Sequence, residues 1–116
     1  MQAALVCMFL TCEAQHQAVP MSASVFVVRH AEKADLSDPD TPLSIAGEAR
    51  AHALAATLKS KGVKAVYATE FKRTQQTAVP AAKDTGVEVT VITNADRATL
   101  LERVRAVPMG SAALIV

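Results

Sequence analysis

The run Ser24-Val25-Phe26-Val27-Val28 is short, rich in β-branched residues and apolar on both faces. Those properties predict a strand buried inside a parallel sheet rather than a helix. The run stops at Arg29-His30, with Ala31-Glu32-Lys33 behind it. Successive residues of a strand point to opposite faces, so this pair serves one site only if the strand has ended and the backbone has begun to turn. In open parallel sheets ligands bind beyond the carboxyl ends of the strands, which is where the pair falls.

The same rhythm recurs along the chain. Val63 to Thr69, Val87 to Ile92 and Ala112 to Val116 read as three further strands. Ser44 suits the N-cap of a helix over Ile45 to Lys61, with Ala46, Ala49, Ala53, Leu54, Thr57 and Leu58 on one stripe and Gly62 as the stop. A second helix begins near Glu70 or Phe71 and runs towards Thr85 and Gly86, with Pro80 expected to kink or divide it. A third spans Ala95 to Ala106 on the stripe Leu100, Leu101 and Val104. Ala34 to Pro42, rich in Asp and Pro, reads as a loop whose Asp35, Asp38 and Asp40 form a solvated face rather than a metal cluster. Strand and helix alternating in this way predict an α/β fold, a three-layer α/β/α sandwich with a mainly parallel sheet. The fourth strand closes the chain, and apolar surface without a covering helix is expected there.

The 116 residues allow one domain. Residues 1–20 read as a leader-like or disordered segment and 21–116 as the domain, expected to be incomplete at its carboxyl end, truncated after the fourth strand. Half of the residues are apolar but only 3% are aromatic, so the core must be built from Ala, Val and Leu. Twelve basic against eleven acidic side chains give no basic excess for a nucleic-acid partner. Both cysteines, Cys7 and Cys12, precede the domain. That removes a disulfide framework, a cysteine nucleophile and a cysteine-based metal site from it. His30-Ala31-Glu32 matches the His-x-Glu of zinc deaminases, but the Pro-Cys-x-x-Cys they need is missing. No metal is expected.

Ala3 to Leu10 is apolar but too short to span a bilayer as a helix. It has the character of a secretory leader without the usual basic residues, since no Lys or Arg precedes Arg29. If residues 1–18 act as a leader, the domain is periplasmic or secreted; with a true start at Met21 it is cytoplasmic.

Three segments together carry a family resemblance. The strand running into Arg29-His30-Ala31-Glu32-Lys33 is the first. Leu43-Ser44-Ile45-Ala46-Gly47-Glu48-Ala49-Arg50-Ala51 and Tyr67-Ala68-Thr69-Glu70-Phe71-Lys72-Arg73-Thr74-Gln75-Gln76-Thr77-Ala78 follow in order. The chain resembles the histidine phosphatase superfamily, also called phosphoglycerate mutase-like, and within it the small Arg-His-Ala-Glu-Lys phosphatases similar to phosphohistidine phosphatases. The resemblance implies a hydrolase acting on a phosphorylated small molecule or a phosphoprotein, with no cofactor. It also implies a second histidine just after the fourth strand; the sequence ends at Val116, before that position. His16 and His52 are not replacements.

Phosphoryl transfer needs a nucleophile in line with the leaving oxygen and dense positive charge on the non-bridging oxygens. His30, Arg29 and Arg73 supply those parts. A neutral imidazole can take the phosphoryl group, and arginine forks donate paired hydrogen bonds to phosphate oxygens. With the first two strands as near neighbours, Arg73 converges on the Arg29-His30 pair. The resemblance gives the same roles: His30 as nucleophile, Arg29 and Arg73 as phosphate ligands. Thr69 is a further candidate contact. For the proton delivered to the leaving group Asp96 is the candidate, with Glu32 behind it, although Asp96 suits the N-cap of the third helix equally well. Two functions therefore follow: a phosphatase working through phospho-His30, or a non-catalytic module that only binds phosphate.

Overall fold

The structure, a computed structural model, describes residues 22–116. The leader-like segment, with Cys7, Cys12 and His16, lies outside the described residues. In chain order the elements are β1 (Ser24–Val27), α1 (Ile45–Leu58), β2 (Val63–Ala68), α2 (Lys72–Thr85), β3 (Val89–Val91), α3 (Arg97–Arg105) and β4 (Ala112–Ile115). The four strands form one all-parallel sheet in the order β1-β4-β2-β3. The expected layered α/β architecture is therefore present, with the last strand inserted between the first two.

That insertion places one strand between β1 and β2, and it corrects one expectation: β4 does not leave the apolar surface uncovered, since Ala112, Ala113 and Leu114 are at most 1% exposed. The residues of β4 alternate. Ala112, Leu114 and Val116 join the core formed with α1 and α2, whereas Ala113 joins Tyr67, Ile92 and Val107 on the other face. β1, predicted to be buried on both faces, lies at an edge of the described sheet. Phe26 and Val28 pack towards α1 and α2, but Val25 and Val27 are 40% and 72% exposed. The physical reason is coverage. Of the helices only α3 contributes to the second face, through Leu100, and it does not reach β1. Leu101 of the predicted α3 stripe is exposed as well.

Helix α1 starts as expected: the Ser44 hydroxyl accepts a hydrogen bond from the Gly47 amide at 3.0 Å. Its buried residues are Gly47, Ala51, Ala55 and Leu58; of the expected stripe Leu58 is buried and Leu54 packs against the core, whereas Ala46, Ala49, Ala53 and Thr57 are exposed. It ends at Leu58, and Gly62, at φ +70°, turns the chain into β2 instead of stopping the helix. Pro80 does not divide α2. The one hydrogen bond it removes is outweighed by Thr77, Ala78, Ala81 and Ala82, all buried around it. Gly86 at φ +70° closes that helix.

Gly47 has a structural duty that its helical position alone does not suggest. A β-carbon there would collide with the Glu32 carbonyl and crowd the Glu32 amide at 3.1 Å. The Ser44 amide also donates to the Glu32 carbonyl at 2.9 Å, so the first turn of α1 lies directly on the segment following β1. Gly47→Ala gains about 1 kcal/mol of helix propensity. It loses more, because backbone rather than a movable side chain blocks the methyl: overpacking of this kind costs about 1–3 kcal/mol, which leaves a net loss of up to about 2 kcal/mol. Denaturant unfolding of the variant is expected to show that loss.

Candidate active site

The last ladder bond of β1 runs from the Val28 amide to the Ile115 carbonyl at 2.9 Å. Beyond it the regular strand has ended, and Arg29 and His30 both line one open cleft of about 810 Å³. The His30 ring is half-buried, with Nδ1 2.8 Å from the Ala31 carbonyl oxygen. A carbonyl oxygen only accepts, so Nδ1 carries the proton and donates. In the neutral ring that leaves the Nε2 lone pair free to act as a nucleophile.

Glu32, Lys33 and Arg50 line the same cleft. Arg50 grips Glu32 from the side: its Nε lies 2.7 and 2.9 Å from the two carboxylate oxygens and its Nη2 is 2.5 Å from Oε1. The Arg50 hydrogen bond holds the Glu32 carboxyl below the usual carboxylate range, and Glu32 raises Arg50 in turn. Glu32 is thus kept ionised, which opposes a role as proton donor.

Arg73, in the first turn of α2, is not among the residues lining this cleft. Its Nη1 donates to the Pro39 carbonyl at 2.9 Å, its guanidinium carbon sits 4.3 Å from the centre of the Phe71 ring, and its Nε is buried without a partner among the described residues. One turn further on, the Thr77 hydroxyl donates to the Arg73 carbonyl at 2.7 Å and accepts from the Ala31 amide at 3.0 Å. Arg73 and the residue after His30 are therefore linked through a single hydroxyl. The loop between them is stapled to the same helix: the Leu43 amide donates to Gln76 Oε1 at 2.8 Å, and the Lys72 amide to Asp40 Oδ1 at 2.9 Å. The acids of that loop are occupied in turns. Asp35 accepts from the Ser37 hydroxyl at 2.7 Å and amide at 2.8 Å, which lowers its pKa, and Asp38 accepts from the Asp40 amide.

Thr69 and Asp96 meet at a second hollow of about 270 Å³ at the ends of β2 and β3. The Thr69 hydroxyl is 2.7 Å from that of Thr74. Asp96 Oδ1 accepts from the Thr99 amide at 3.2 Å and so caps α3, while Oδ2 has no partner among the described residues. Because β4 and β2 separate β1 from β3, Asp96 stands three strand positions along the sheet edge from His30, roughly 14 Å at the usual strand spacing.

With this geometry in hand, comparison with known proteins is decisive for the family. The family model of the histidine phosphatase superfamily, branch 1, matches residues 25–96, which is more than half of the chain. The chain belongs to that superfamily. It is similar to a mycobacterial glucosyl-3-phosphoglycerate phosphatase, Rv2419c, solved with VO3, at 27% identity and a TM-score of 0.53 over 58% of this chain and 35% of that one. It is also similar in fold to a protein assigned as the phosphohistidine phosphatase SixA from Agrobacterium tumefaciens, at 24% identity and a TM-score of 0.59 over 78% of this chain and 66% of that one. A SixA-type structure from Nakamurella multipartitia gives 24% identity and a TM-score of 0.55, with 56% of its length covered. The chain thus spans from about a third to two thirds of these relatives. No curated protein matches at the same stringency.

For a histidine phosphatase, the residues that the sequence reading left without a role are as informative as those it chose. Arg50 was part of a quoted motif and received none, yet it is a wall of the cleft. Gln76 and Thr77 hold the loop and the His30 segment. Both belong to the third resemblance segment, Tyr67 to Ala78, which gives them no role of their own. His52 is exposed on α1 and borders a separate groove with Glu48 and Lys83.

Proposed function

We propose that this histidine phosphatase hydrolyses a phosphomonoester or a phosphohistidine through a phosphohistidine intermediate on His30. The observation that supports the reading is the His30 ring: Nδ1–H donates to the Ala31 carbonyl and so leaves the unprotonated Nε2 as the attacking atom. Nε2 attacks phosphorus, the bond from phosphorus to the leaving atom breaks, and that atom, the ester oxygen or the imidazole nitrogen of a phosphohistidine, takes up a proton. Water then attacks the phosphoryl group and gives a proton back to the acid, and the bond from phosphorus to Nε2 breaks, releasing inorganic phosphate and restoring neutral His30. Arg29, beside the ring, and Arg73, through its guanidinium, bind the phosphate oxygens. For Arg73 this means exchanging the Pro39 carbonyl for phosphate, a stronger acceptor because it is charged. Thr69 contributes a hydroxyl from the end of β2, and Asp96 supplies the proton. The substrate is a phosphorylated small molecule or a phosphoprotein, consistent with what the names of the structural relatives say of those proteins.

Arg73→Lys tests the clamp. Lysine keeps the charge but lacks the planar fork. Losing one charged hydrogen bond, worth about 1.5–3 kcal/mol, lowers kcat/KM roughly tenfold to hundredfold. Phosphate release from a phosphomonoester at wild-type efficiency would place Arg73 outside the site.

One observation favours a second reading, a module that binds phosphate without turning it over. The only carboxylate lining the cleft among the described residues, Glu32, is held ionised by Arg50, and Asp96 borders a different hollow. Phosphate binding without phosphate release from any ester would select that reading.

A further inference from the structure

We propose that Arg50 is a positioning residue whose side-on fork pairs the Glu32 carboxylate at the cleft wall, so that a phosphate dianion can settle beside His30. The proposal rests on reading the cleft as a phosphate site.

Among the described residues the cleft lining carries three cations, Arg29, Lys33 and Arg50, and one carboxylate, Glu32, two residues beyond His30. An unpaired carboxylate so close to an incoming dianion repels it, and like charges a few ångströms apart are costly even in partly hydrated surroundings. The structure shows that carboxylate gripped at both oxygens, with contacts of 2.5 to 2.9 Å. The grip is built in, because donor and acceptor backbones are docked on each other. The Ser44 amide donates to the Glu32 carbonyl at 2.9 Å, Gly47 brings α1 against the same carbonyl, and Lys33 bridges to Leu43. Arg50 then reaches back from the second turn of α1 to the side chain whose main chain its helix already rests on. An exposed ion pair of this kind adds little to stability, with side chains 70% and 42% exposed. Its effect is on the charge that the cleft presents. The guanidinium spends Nε and Nη2 on Glu32, so Arg50 acts through Glu32 rather than as the first ligand of the phosphate.

Titration of the full chain with inorganic phosphate by calorimetry tests this, with thermal unfolding of each variant as a control on folding. Arg50→Ala, which frees Glu32, is expected to weaken phosphate binding at least about tenfold, the equivalent of one close like-charge contact. Glu32→Gln binds phosphate as tightly as the wild type or more tightly. The double variant R50A/E32Q recovers to within about threefold of the wild type, the size of an ordinary surface-charge change. Arg50→Lys, which keeps the charge without the fork, falls between wild type and R50A and serves if R50A does not fold. A double variant as weak as R50A overturns the proposal, because Arg50 would then touch the phosphate itself. R50A or R50K binding like the wild type, or R50K as weak as R50A, also overturns it. Wild-type protein that binds no phosphate removes the phosphate reading of the cleft and this proposal with it. Bound phosphate without any turnover removes only the catalytic reading.

Discussion

His30→Ala leaves a folded protein with no measurable phosphate release. The change deletes the attacking Nε2, and no other imidazole among the described residues borders the cleft; His52 faces a separate groove on α1. Losing a covalent nucleophile removes the two-step route altogether, so the effect is loss of turnover and not a shift in KM. The ring is only half-buried and its one hydrogen bond is to the adjacent carbonyl, so the fold does not depend on it. Thermal unfolding close to that of the wild type is expected, and phosphate still binds through Arg29. Turnover surviving in the variant would sink the assignment of His30.

The second large effect concerns Asp96. Asparagine is as good an N-cap as aspartate, so Asp96→Asn keeps the hydrogen bond to the Thr99 amide and leaves α3 intact. What it removes is an acid, and general acid catalysis contributes about 10²–10⁴-fold. For an alkyl phosphate, whose leaving oxygen needs the proton, kcat is expected to fall by that order. For p-nitrophenyl phosphate, whose leaving group departs as an anion, the fall is small. The contrast between the two esters separates proton delivery from structure. A D96N variant that hydrolyses the alkyl ester like the wild type would leave Asp96 as a cap only. The role also demands that one bound substrate be reached from both His30 and the β3 end of the sheet, across β4 and β2.

How much of this was legible beforehand differs from element to element. The strands were found because β-branched runs that end at charged or turn residues have few alternatives. The Ser44 and Gly86 caps were readable from chemistry alone, and Asp96 was recognised as a fitting cap for α3. The buried stripe of α1 was not. Its sequence, Ile-Ala-Gly-Glu-Ala-Arg-Ala-His-Ala-Leu-Ala-Ala-Thr-Leu, has alanine on nearly every face, so periodicity could not choose one. The contact between Gly47 and the Glu32 backbone made the choice, and that contact joins residues far apart in sequence. Strand order was hidden for the same reason. Nothing local in Ala112 to Ile115 says that the strand lies between β1 and β2, and that placement leaves Val25 and Val27 exposed.

The candidate site shows the same division. Arg29 and His30 were identified because their chemistry sits next to a strand end, and the structure puts both on one cleft. Arg50 was missed because its partner, Glu32, lies 18 residues away and becomes its neighbour only when α1 docks. The placement of Arg73 beside Pro39, and of Thr69 and Asp96 at a separate hollow, follows from the sheet order and the loop over 34–42. Neither could be read from spacing.

The central claim is a covalent phosphoryl group on His30. The direct measurement is the intact mass of the full chain after rapid mixing with a phosphomonoester and quenching under alkaline conditions, where phosphohistidine persists. The account predicts a species heavier by one phosphoryl group, mapped to His30, lost in mild acid and absent from His30→Ala. Steady phosphate release with the phosphoryl group never found on His30 would contradict it.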